Sequence, residues 1–425
     1  MSRISRERRR FTHNPQDAVS RKEAVVVILK AEHLILGDGK TVLEQGAVCV
    51  DSEGKIKSVG PSDQIERQNP GEEVRDYGEA TILPGLFDMH VHFGYYYSQP
   101  GLSEYDDYMV AYYALKQAAY ALDLGITTVR DLASPYNLCK KMRMAGEAGF
   151  IEVPRIFHTH TGICMTGGHG HEDGITEVDG VWPLRKEIRR QLRDGADWIK
   201  ILTSNREDFP EFTQEELNAA VDECHRRGVK TAVHAGTQPA IQMCIDAGFD
   251  TIEHGTFMTL AQAEQMAENN QAWVPTITAY TYLYEYTKRL IEEGGDLSNP
   301  ISARAVKDQA FFEPAANAYR DHFKSFYDTG VTVLAGSDMV LYGAPPLPIH
   351  QELAYMVEYG ITPVQAVATA TGNPSRVMGL EKVTGFLHPG LQADLLVVQG
   401  NAAEDIHALD QVLGVYLGGR RVREN

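Results

Sequence analysis

The sequence predicts an α/β protein that consists of a (β/α)8 barrel and a small β-sandwich formed by both ends of the chain. Two observations support this fold. Short apolar runs alternate with longer helical stretches eight times through the middle of the chain, which is the pattern of parallel strands connected by helices. The segments on either side are typical of short strands separated by glycine-containing turns.

This pattern divides the chain into four parts. Residues 1–23 form a basic tail with five arginines among the first ten residues. We expect the tail to lack regular structure, and a role in contacts between subunits is the alternative. Residues 24–81 and 383–425 are predicted to form the two parts of the sandwich, and residues 82–382 the barrel.

The sandwich strands are predicted where β-branched and apolar residues lie between turn signals. They are Val25–Leu29, Val48–Asp51 and Ile56–Val59 at the start of the chain, and Gly385–Pro389, Asp394–Gln399, Gln411–Leu417 and Arg420–Arg423 at its end.

The barrel strands and their helices follow from the change between short and long periodic runs. The strand-like runs begin near Ile82, Thr127, Arg155, Trp198, Lys230, Thr251, Trp273 and Thr332. Helical stretches include Glu104–Asp123, Pro183–Asp194, Gln214–Arg227 and Ala303–Thr329.

Composition and charge exclude several classes of protein. The formal net charge is −18, and a surface this acidic repels phosphate backbones, so we expect no nucleic-acid partner. No signal peptide or membrane-spanning segment is predicted. The five cysteines are widely spaced without a CxxC pair, which favours a reducing compartment and predicts a cytoplasmic protein.

Potential metal ligands lie at or near the carboxyl ends of five of the eight strand-like runs. They are His90, His92, Lys200, His234, His254 and Asp338. In a (β/α)8 barrel this face carries the active site, so the six side chains are expected to converge. A set of imidazoles and carboxylates suits two divalent cations, with zinc favoured and manganese or iron as alternatives.

Lys200 lies within an apolar strand, where an ammonium group is costly. Burial lowers the pKa of a lysine and favours the neutral amine. A neutral amine can take up CO2 to form a carbamate, an anion able to bridge two cations. The alternative is a lysine that is neutralised by a nearby carboxylate.

This set of residues resembles the amidohydrolase superfamily. The two histidines of the first strand, the lysine, the two later histidines and the final aspartate match its metal-binding pattern. Ala370–Leu380 is similar to the helix that closes the barrel in the imidazolonepropionase-like and Xaa-Pro dipeptidase-like branch. Gly385–Leu395 resembles the return of that branch into its β-sandwich.

The resemblance implies a metal-dependent hydrolase of carbon–nitrogen or peptide bonds with two cations, zinc being expected. Carboxylated Lys200 and a hydroxide would bridge the cations, and Asp338 would move a proton from the hydroxide to the leaving nitrogen. The implied ligands are His90, His92 and Asp338 for the more buried metal, and His234 and His254 for the second.

Further residues are candidates for contact with the substrate. Thr166–His171 reads Thr-Gly-Gly-His-Gly-His, and in dipeptidase-like relatives such a segment supplies a histidine that binds the substrate carbonyl. His169 matches that position. Tyr95 follows the first barrel strand closely, and His160 ends the third, with packing as the alternative explanation for both.

Three functional hypotheses follow. The leading one is a binuclear hydrolase of an acyclic amide, such as an Xaa-Pro or other dipeptide or an N-acyl amino acid, working on small molecules as a homo-oligomer. The second is a mononuclear deaminase or cyclic-amide hydrolase, but such relatives generally lack the bridging lysine and often carry a glutamate near the fifth strand. Residues 230–236 contain no glutamate. The third is a non-enzymatic scaffold. Relatives of that kind have lost metal ligands, and none of the expected ligands is missing from this sequence.

Overall fold

The computed structural model describes most of the chain, and the basic tail and Tyr95 lie outside the described residues. The described residues are 26–94, 107–171, 175–204, 210–295, 298, 303, 306–338 and 346–424. No described helix has the length and apolar character needed to cross a membrane. All five cysteines are buried with free thiols.

The strands follow the predicted distribution, with β-rich ends and single strands between helices in the middle. In chain order they are β1 (Val27–Ile35), β2 (Val42–Val50), β3 (Ile56–Pro61), β4 (Glu73–Asp76), β5 (Ala80–Pro84), β6 (Leu86–Val91), β7 (Ile126–Asp131), β8 (Arg155–His158), β9 (Ile163–Cys164), β10 (Thr176–Glu177), β11 (Trp198–Leu202), β12 (Lys230–Ala235), β13 (Thr251–His254), β14 (Ala272–Val274), β15 (Thr332–Val333), β16 (Leu395–Gln399), β17 (Val412–Leu417) and β18 (Arg420–Glu424).

The helices confirm the four predicted helical stretches to within a few residues where those stretches are described. In chain order they are α1 (Ser62–Gln68), α2 (Asp107–Asp123), α3 (Leu138–Glu147), α4 (Val181–Arg193), α5 (Gln214–His225), α6 (Gln238–Ala247), α7 (Leu260–Glu268), α8 (Thr281–Glu292), α9 (Gln309–Asp328), α10 (Ile349–Glu358), α11 (Pro363–Thr369) and α12 (Gly372–Val377).

Both ends of the chain contribute strands to one sheet, in agreement with the prediction that the two ends come together, and the sandwich itself stays a prediction. Its order is β18-β17-β16-β5-β1-β2-β3, with β4 beside β1. Hydrogen bonds join these strands into a single eight-stranded sheet. The prediction of a strand at Gly385–Pro389 is wrong: this segment is irregular, and Gly385 has a φ of 92°, which is incompatible with an extended strand.

The middle of the chain contains ten described parallel strands. Eight of them correspond to the predicted strand-like runs, and the two-residue strands β9 and β10 are additional. They form a sheet β6-β7-β8 and a sheet β10-β9-β11-β12-β13-β14-β15, and each adjacent pair is parallel. Backbone hydrogen bonds connect the two sheets in two places, before β11 and after β15. Asp197 N donates to His158 O at 2.8 Å, and Met89 N donates to Ala335 O at 2.9 Å. A closed barrel requires these two connections.

The first strand-like run, predicted from Ile82 to His92, is divided between the two parts of the fold. β5 pairs with β1 and β16 of the chain-end sheet, whereas β6 pairs with β7. Gly85 lies at the division. A Cβ atom on this residue would lie 2.3 Å from Thr127 Oγ1, so the close approach of the two strands requires glycine.

The alternation of side chains along β11 shows how the core positions the site. Ile199 and Ile201 pack in the large cluster that includes Leu184 and Ile188 of α4. Lys200, between them, is on the opposite face and is almost fully buried. Because alternate residues of a strand face opposite sides, packing against the helices directs the lysine to the inside.

We expect Gly85→Ala to lower the free energy of unfolding by about 1–3 kcal/mol, the usual cost of overpacking. The new methyl group would collide with Thr127 between β5 and β7. Chemical denaturation measures the change. Gly60→Ala is the matched control, since its Cβ would lie 3.7 Å from Ile65, an ordinary contact. Equal stability of the two variants would contradict the explanation.

Candidate metal centre

Three of the predicted ligands meet at the carboxyl end of β6. His90 Nε2 lies 3.4 Å from Asp338 Oδ1, and His92 Nε2 lies 3.2 Å from the same oxygen. One ligand atom from each of the three residues lies within 4.8 Å of those of the other two. His90 lies in β6 and His92 directly follows it at the alternate position, and the segment after β15 supplies the aspartate.

The other three predicted ligands lie beside this group. The His254 ring is centred 5.1 Å from that of His90 and 4.3 Å from that of His234. Lys200 Nζ lies 3.4 Å from His90 Nε2. The structure therefore brings together all six side chains that the sequence singled out, from five strands or their ends.

Three of the four histidines have one ring nitrogen occupied by a protein acceptor. His90 Nδ1 lies 2.9 Å from Glu253 Oε2, and His92 Nδ1 lies 3.0 Å from Ala133 O. His254 Nδ1 lies 2.7 Å from Thr276 Oγ1. A carboxylate or carbonyl cannot donate, so His90 and His92 carry their protons on Nδ1. Thr276 Oγ1 donates to Pro275 O, so it too accepts. Each Nε2 then presents a lone pair, as in metal-binding histidines.

The fourth histidine, His234, also has a buried ring nitrogen that is available to a metal ion. Its Nε2 is buried and has no hydrogen-bond partner among the described residues. A buried polar atom without a partner is costly, so a ligand for this nitrogen is expected. A metal ion satisfies this need.

The partner of His90, Glu253, belongs to a buried charged group that sequence reasoning missed. Glu253 Oε1 accepts from Arg130 Nη2 at 2.8 Å, and both side chains are fully buried. Burial alone would raise the pKa of Glu253, but the Arg130 guanidinium and the His90 hydrogen bond hold it well below its ordinary value. A charged residue within each of two apolar strands was the available signal.

The backbone is strained at two of the ligands. His254 and Asp338 have φ values of 66° and 47°, in the left-handed region that side chains other than glycine rarely adopt. Asp88 holds the segment before Asp338 by accepting from Ser337 N at 3.0 Å and from Ser337 Oγ at 2.6 Å. Asp338 N donates to His90 O at 2.8 Å. Such strain persists only where the surroundings fix it, and it is common at active sites.

Burial keeps three of the candidate histidines in the form that binds metals. It lowers the pKa of His90 to about 4 and the pKa values of His234 and His254 well below the ordinary value, so these imidazoles are neutral at pH 7. His92 differs: burial opposes its protonation, but the hydrogen bond to Asp338 and the charge of that carboxylate raise its pKa. Burial also lowers the pKa of Lys200 to about 8.

His169 reaches this cluster from the loop that follows β9. Its ring stacks on that of His234, with centroids 4.0 Å apart and planes 20° apart. Carboxylates hold the loop through its backbone: Asp179 accepts from Thr166 N, Glu177 from Gly167 N and Glu211 from His169 N. The exposed imidazole is thus placed beside a candidate ligand by a loop with fixed attachments.

The other histidines of this region lie elsewhere. His160 is half-buried, its Nδ1 accepts from Thr161 N, and the charges that act on its pKa include Arg190 and Glu187 of α4. His158 is buried beside Arg143. His171 Nδ1 lies 2.9 Å from Gly168 O, within the loop itself. Only His169 of this group contacts a predicted ligand in the described part of the chain.

Comparison with known proteins agrees with this geometry. Residues 81–422 match the family model described as the amidohydrolase family. The chain belongs to the amidohydrolase family. This confirms the family resemblance drawn from the residues, and the family places the protein among hydrolases of carbon–nitrogen bonds.

Relatives of this amidohydrolase include enzymes with different names. It is 29% identical to ochratoxinase of Aspergillus niger over 453 aligned positions, which cover 96% of this chain and 88% of that protein. It is 25% identical to imidazolonepropionase of Geobacillus kaustophilus, covering 84% of each. The crystal structure of a Xaa-Pro dipeptidase with bound methionine in its active site superposes with a TM-score of 0.83 at 29% identity, covering 94% of this chain and all of that chain.

We expect Glu253→Gln to destabilise this amidohydrolase by about 3–5 kcal/mol. The substitution leaves the buried Arg130 guanidinium without its counter-charge, and breaking a buried ion pair has a cost of this size. Thermal or chemical unfolding measures it. Glu264→Gln on the exposed face of α7 is the control and should unfold like the wild type. If both variants retained wild-type stability, the buried pair would not have the importance given to it here.

Proposed function

We propose that the protein is a binuclear metal-dependent hydrolase that cleaves an acyclic amide bond in a small molecule, such as a dipeptide or an N-acyl amino acid. The observation that carries this proposal is the hydrogen bonding of the four imidazole rings, which leaves ring nitrogens available to metal ions. Three of them have Nδ1 engaged by protein acceptors, and the Nε2 of the fourth is buried without a partner among the described residues. This arrangement, at the carboxyl ends of barrel strands, suits metal ions.

The donor set fits two cations. His90, His92 and Asp338 would hold one, and His234 and His254 would hold the other. Zinc is the preferred candidate, because imidazole and carboxylate ligands suit it. Lys200 lies next to His90, so its side chain is placed to contribute to both.

Lys200 is proposed to act as a carbamate. Among the described residues, no carboxylate forms an ion pair with it. Burial lowers its pKa, and the nearby charges of Glu253 and Asp338 oppose this effect only in part. The neutral Nζ would attack the carbon of CO2, forming an N–C bond and releasing one proton to solvent. The product carries a negative charge on two oxygens, which suits a site between cations.

The side chains around the site would divide the work of hydrolysis. Cations held here would supply Lewis acidity, which lowers the pKa of water and polarises the substrate carbonyl. The Asp338 carboxylate would accept the proton of the attacking water and deliver it to the leaving nitrogen. His169 would donate a hydrogen bond to the substrate, since its exposed ring lies against His234.

The preference for an acyclic amide is supported by two features of this chain. Lys200 is present and buried at the site, whereas mononuclear cyclic-amide hydrolases and deaminases generally lack this lysine. The relatives with high coverage include proteins named ochratoxinase and Xaa-Pro dipeptidase. The assignment of His160 to the substrate has less support, because its described neighbours lie towards α4.

The function is tested by metal content and a substrate screen. We expect about two divalent ions per chain in protein purified without chelators. The zinc-loaded protein should hydrolyse members of a library of dipeptides and N-acyl amino acids, and EDTA should abolish turnover reversibly. A content near one ion per chain would favour the mononuclear alternative. Turnover that survives complete chelation would contradict the proposal.

The carbamate is tested at Lys200. Lys200→Ala should reduce metal affinity by at least the roughly 10–100-fold seen when outer partners of metal sites are removed. Short carboxylic acids should restore part of the activity by filling the space with a carboxylate.

Lys186→Ala, on the exposed face of α4, is the control and should behave as the wild type. Wild-type protein loaded with 13C-labelled CO2 should show a carbamate carbon by NMR that is missing in Lys200→Ala. Identical spectra would rule out this modification.

A further inference from the structure

Glu352 is a fully buried acid on α10 that the proposed chemistry does not use. Its two carboxyl oxygens accept from successive backbone amides: Oε1 from Ile277 N at 2.9 Å and Oε2 from Thr278 N at 2.8 Å. Both amides belong to the segment that follows β14. Burial raises the pKa of Glu352 to about 8, although these hydrogen bonds favour the ionised form. A helix therefore holds this segment through one buried carboxyl group.

The held segment contacts one candidate ligand through Thr276. Thr276 precedes Ile277 directly, and its Oγ1 lies 2.7 Å from His254 Nδ1. Its backbone is left-handed, with φ of 50°. A threonine in this conformation is strained, so contacts on either side are needed to keep it there. Glu352 supplies the contact on the carboxyl side.

The same segment contacts a second candidate ligand through Thr278. The Thr278 hydroxyl lies 2.9 Å from Ser337 O and 3.1 Å from Glu352 Oε2. Ser337 directly precedes Asp338, whose φ is 47°. Asp88 holds Ser337 from the β6 side, and Thr278 holds it from the opposite side.

The Thr278 hydroxyl connects Glu352 to Ser337. It lies within donating distance of two acceptors, Ser337 O and Glu352 Oε2. The connection runs from α10 through Thr278 to the backbone that carries Asp338.

We propose that Glu352 is a positioning residue that, by holding residues 276–278, fixes the orientations of His254 and Asp338 in the metal centre. These two candidate ligands come from different strands, and the proposal rests on the function proposed above. Among the described residues, the hydrogen-bond partners of the Glu352 side chain are Ile277 and Thr278 and not a candidate ligand, so its effect passes through residues 276–278.

The decisive variants are at Thr278, where the hydroxyl can be removed without changing the backbone bonds to Glu352. Thr278→Val has nearly the same shape but breaks the link to Ser337. Thr278→Ser keeps the hydroxyl and is the matched rescue. We expect Thr278→Val to lose metal to a chelator about tenfold faster than the wild type, with a lower kcat and a KM that changes less, because outer partners tune metal affinity. Thr278→Ser should behave as the wild type.

Glu352→Gln gives a second test. Either orientation of the amide places its NH2 group against a backbone N–H, of Ile277 or of Thr278, so no orientation restores all the hydrogen bonds. This variant should lose metal at least as fast as Thr278→Val. Glu358→Gln, an exposed position on the same helix, should match the wild type in melting temperature and metal loss.

The possible outcomes separate this inference from the proposed function. A wild-type protein that holds no divalent cation would overturn both. A metal-loaded wild type whose rate of metal loss is shared by Thr278→Val would overturn this inference alone. So would a Thr278→Ser variant as impaired as Thr278→Val, because the hydroxyl would then not be the link.

Discussion

The ion pair between Glu253 and Arg130 constrains the arrangement of the parallel strands and of the site at their ends. Glu253 lies on β13, and Arg130 on β7. Arg130 also donates to Met89 O of β6 at 2.8 Å, while Glu253 accepts from His90 of the same strand. An unpaired charge in this interior would be very costly, so the three strands must keep the register that pairs both groups. The orientation of His90 follows from that register.

A common principle places the remaining candidate ligands. The strands bring the side chains together, and a deeper group fixes the orientation of each ring. Ala133 O has this effect for His92, and Thr276 for His254. The left-handed residues lie where strands end, so the backbone turns there to direct His254 and Asp338 towards the others. The local strain is maintained by contacts that lie outside the metal centre itself.

The residue proposed to contact a substrate is held in place differently from the candidate metal ligands. The candidate ligands are on strands or at their ends, whereas His169 is on a loop attached through the carboxylates of Asp179, Glu177 and Glu211. Loops vary more freely than strands, because fewer packing contacts depend on them. This difference agrees with the range of relatives at similar identity, which includes proteins named ochratoxinase and imidazolonepropionase.

Much of the fold and of the centre could be predicted from the sequence. Strand-like runs of regular spacing indicate parallel strands, and parallel strands all end at the same side. A histidine or aspartate at the end of each run is therefore brought to one place, whatever the details of packing. This is why His90, His234, His254 and Asp338 could be grouped although they are far apart in the chain. Periodicity also located four of the helices, α2, α4, α5 and α9.

Only the tertiary structure decided which other residues support that centre. Glu253, Arg130 and Glu352 are buried charged residues, and their sequence context does not indicate their partners. Their partners are determined by how strands and helices pack, and long-range hydrogen bonds leave no periodic signal. Gly85 is a further example. The run from Ile82 to His92 reads as one strand, but it divides at Gly85, where the chain passes too close to Thr127 for a side chain. Sequence determined what converges at the strand ends, because strand direction is a local property. Packing determined what holds those residues in place, because that depends on contacts between distant parts of the chain.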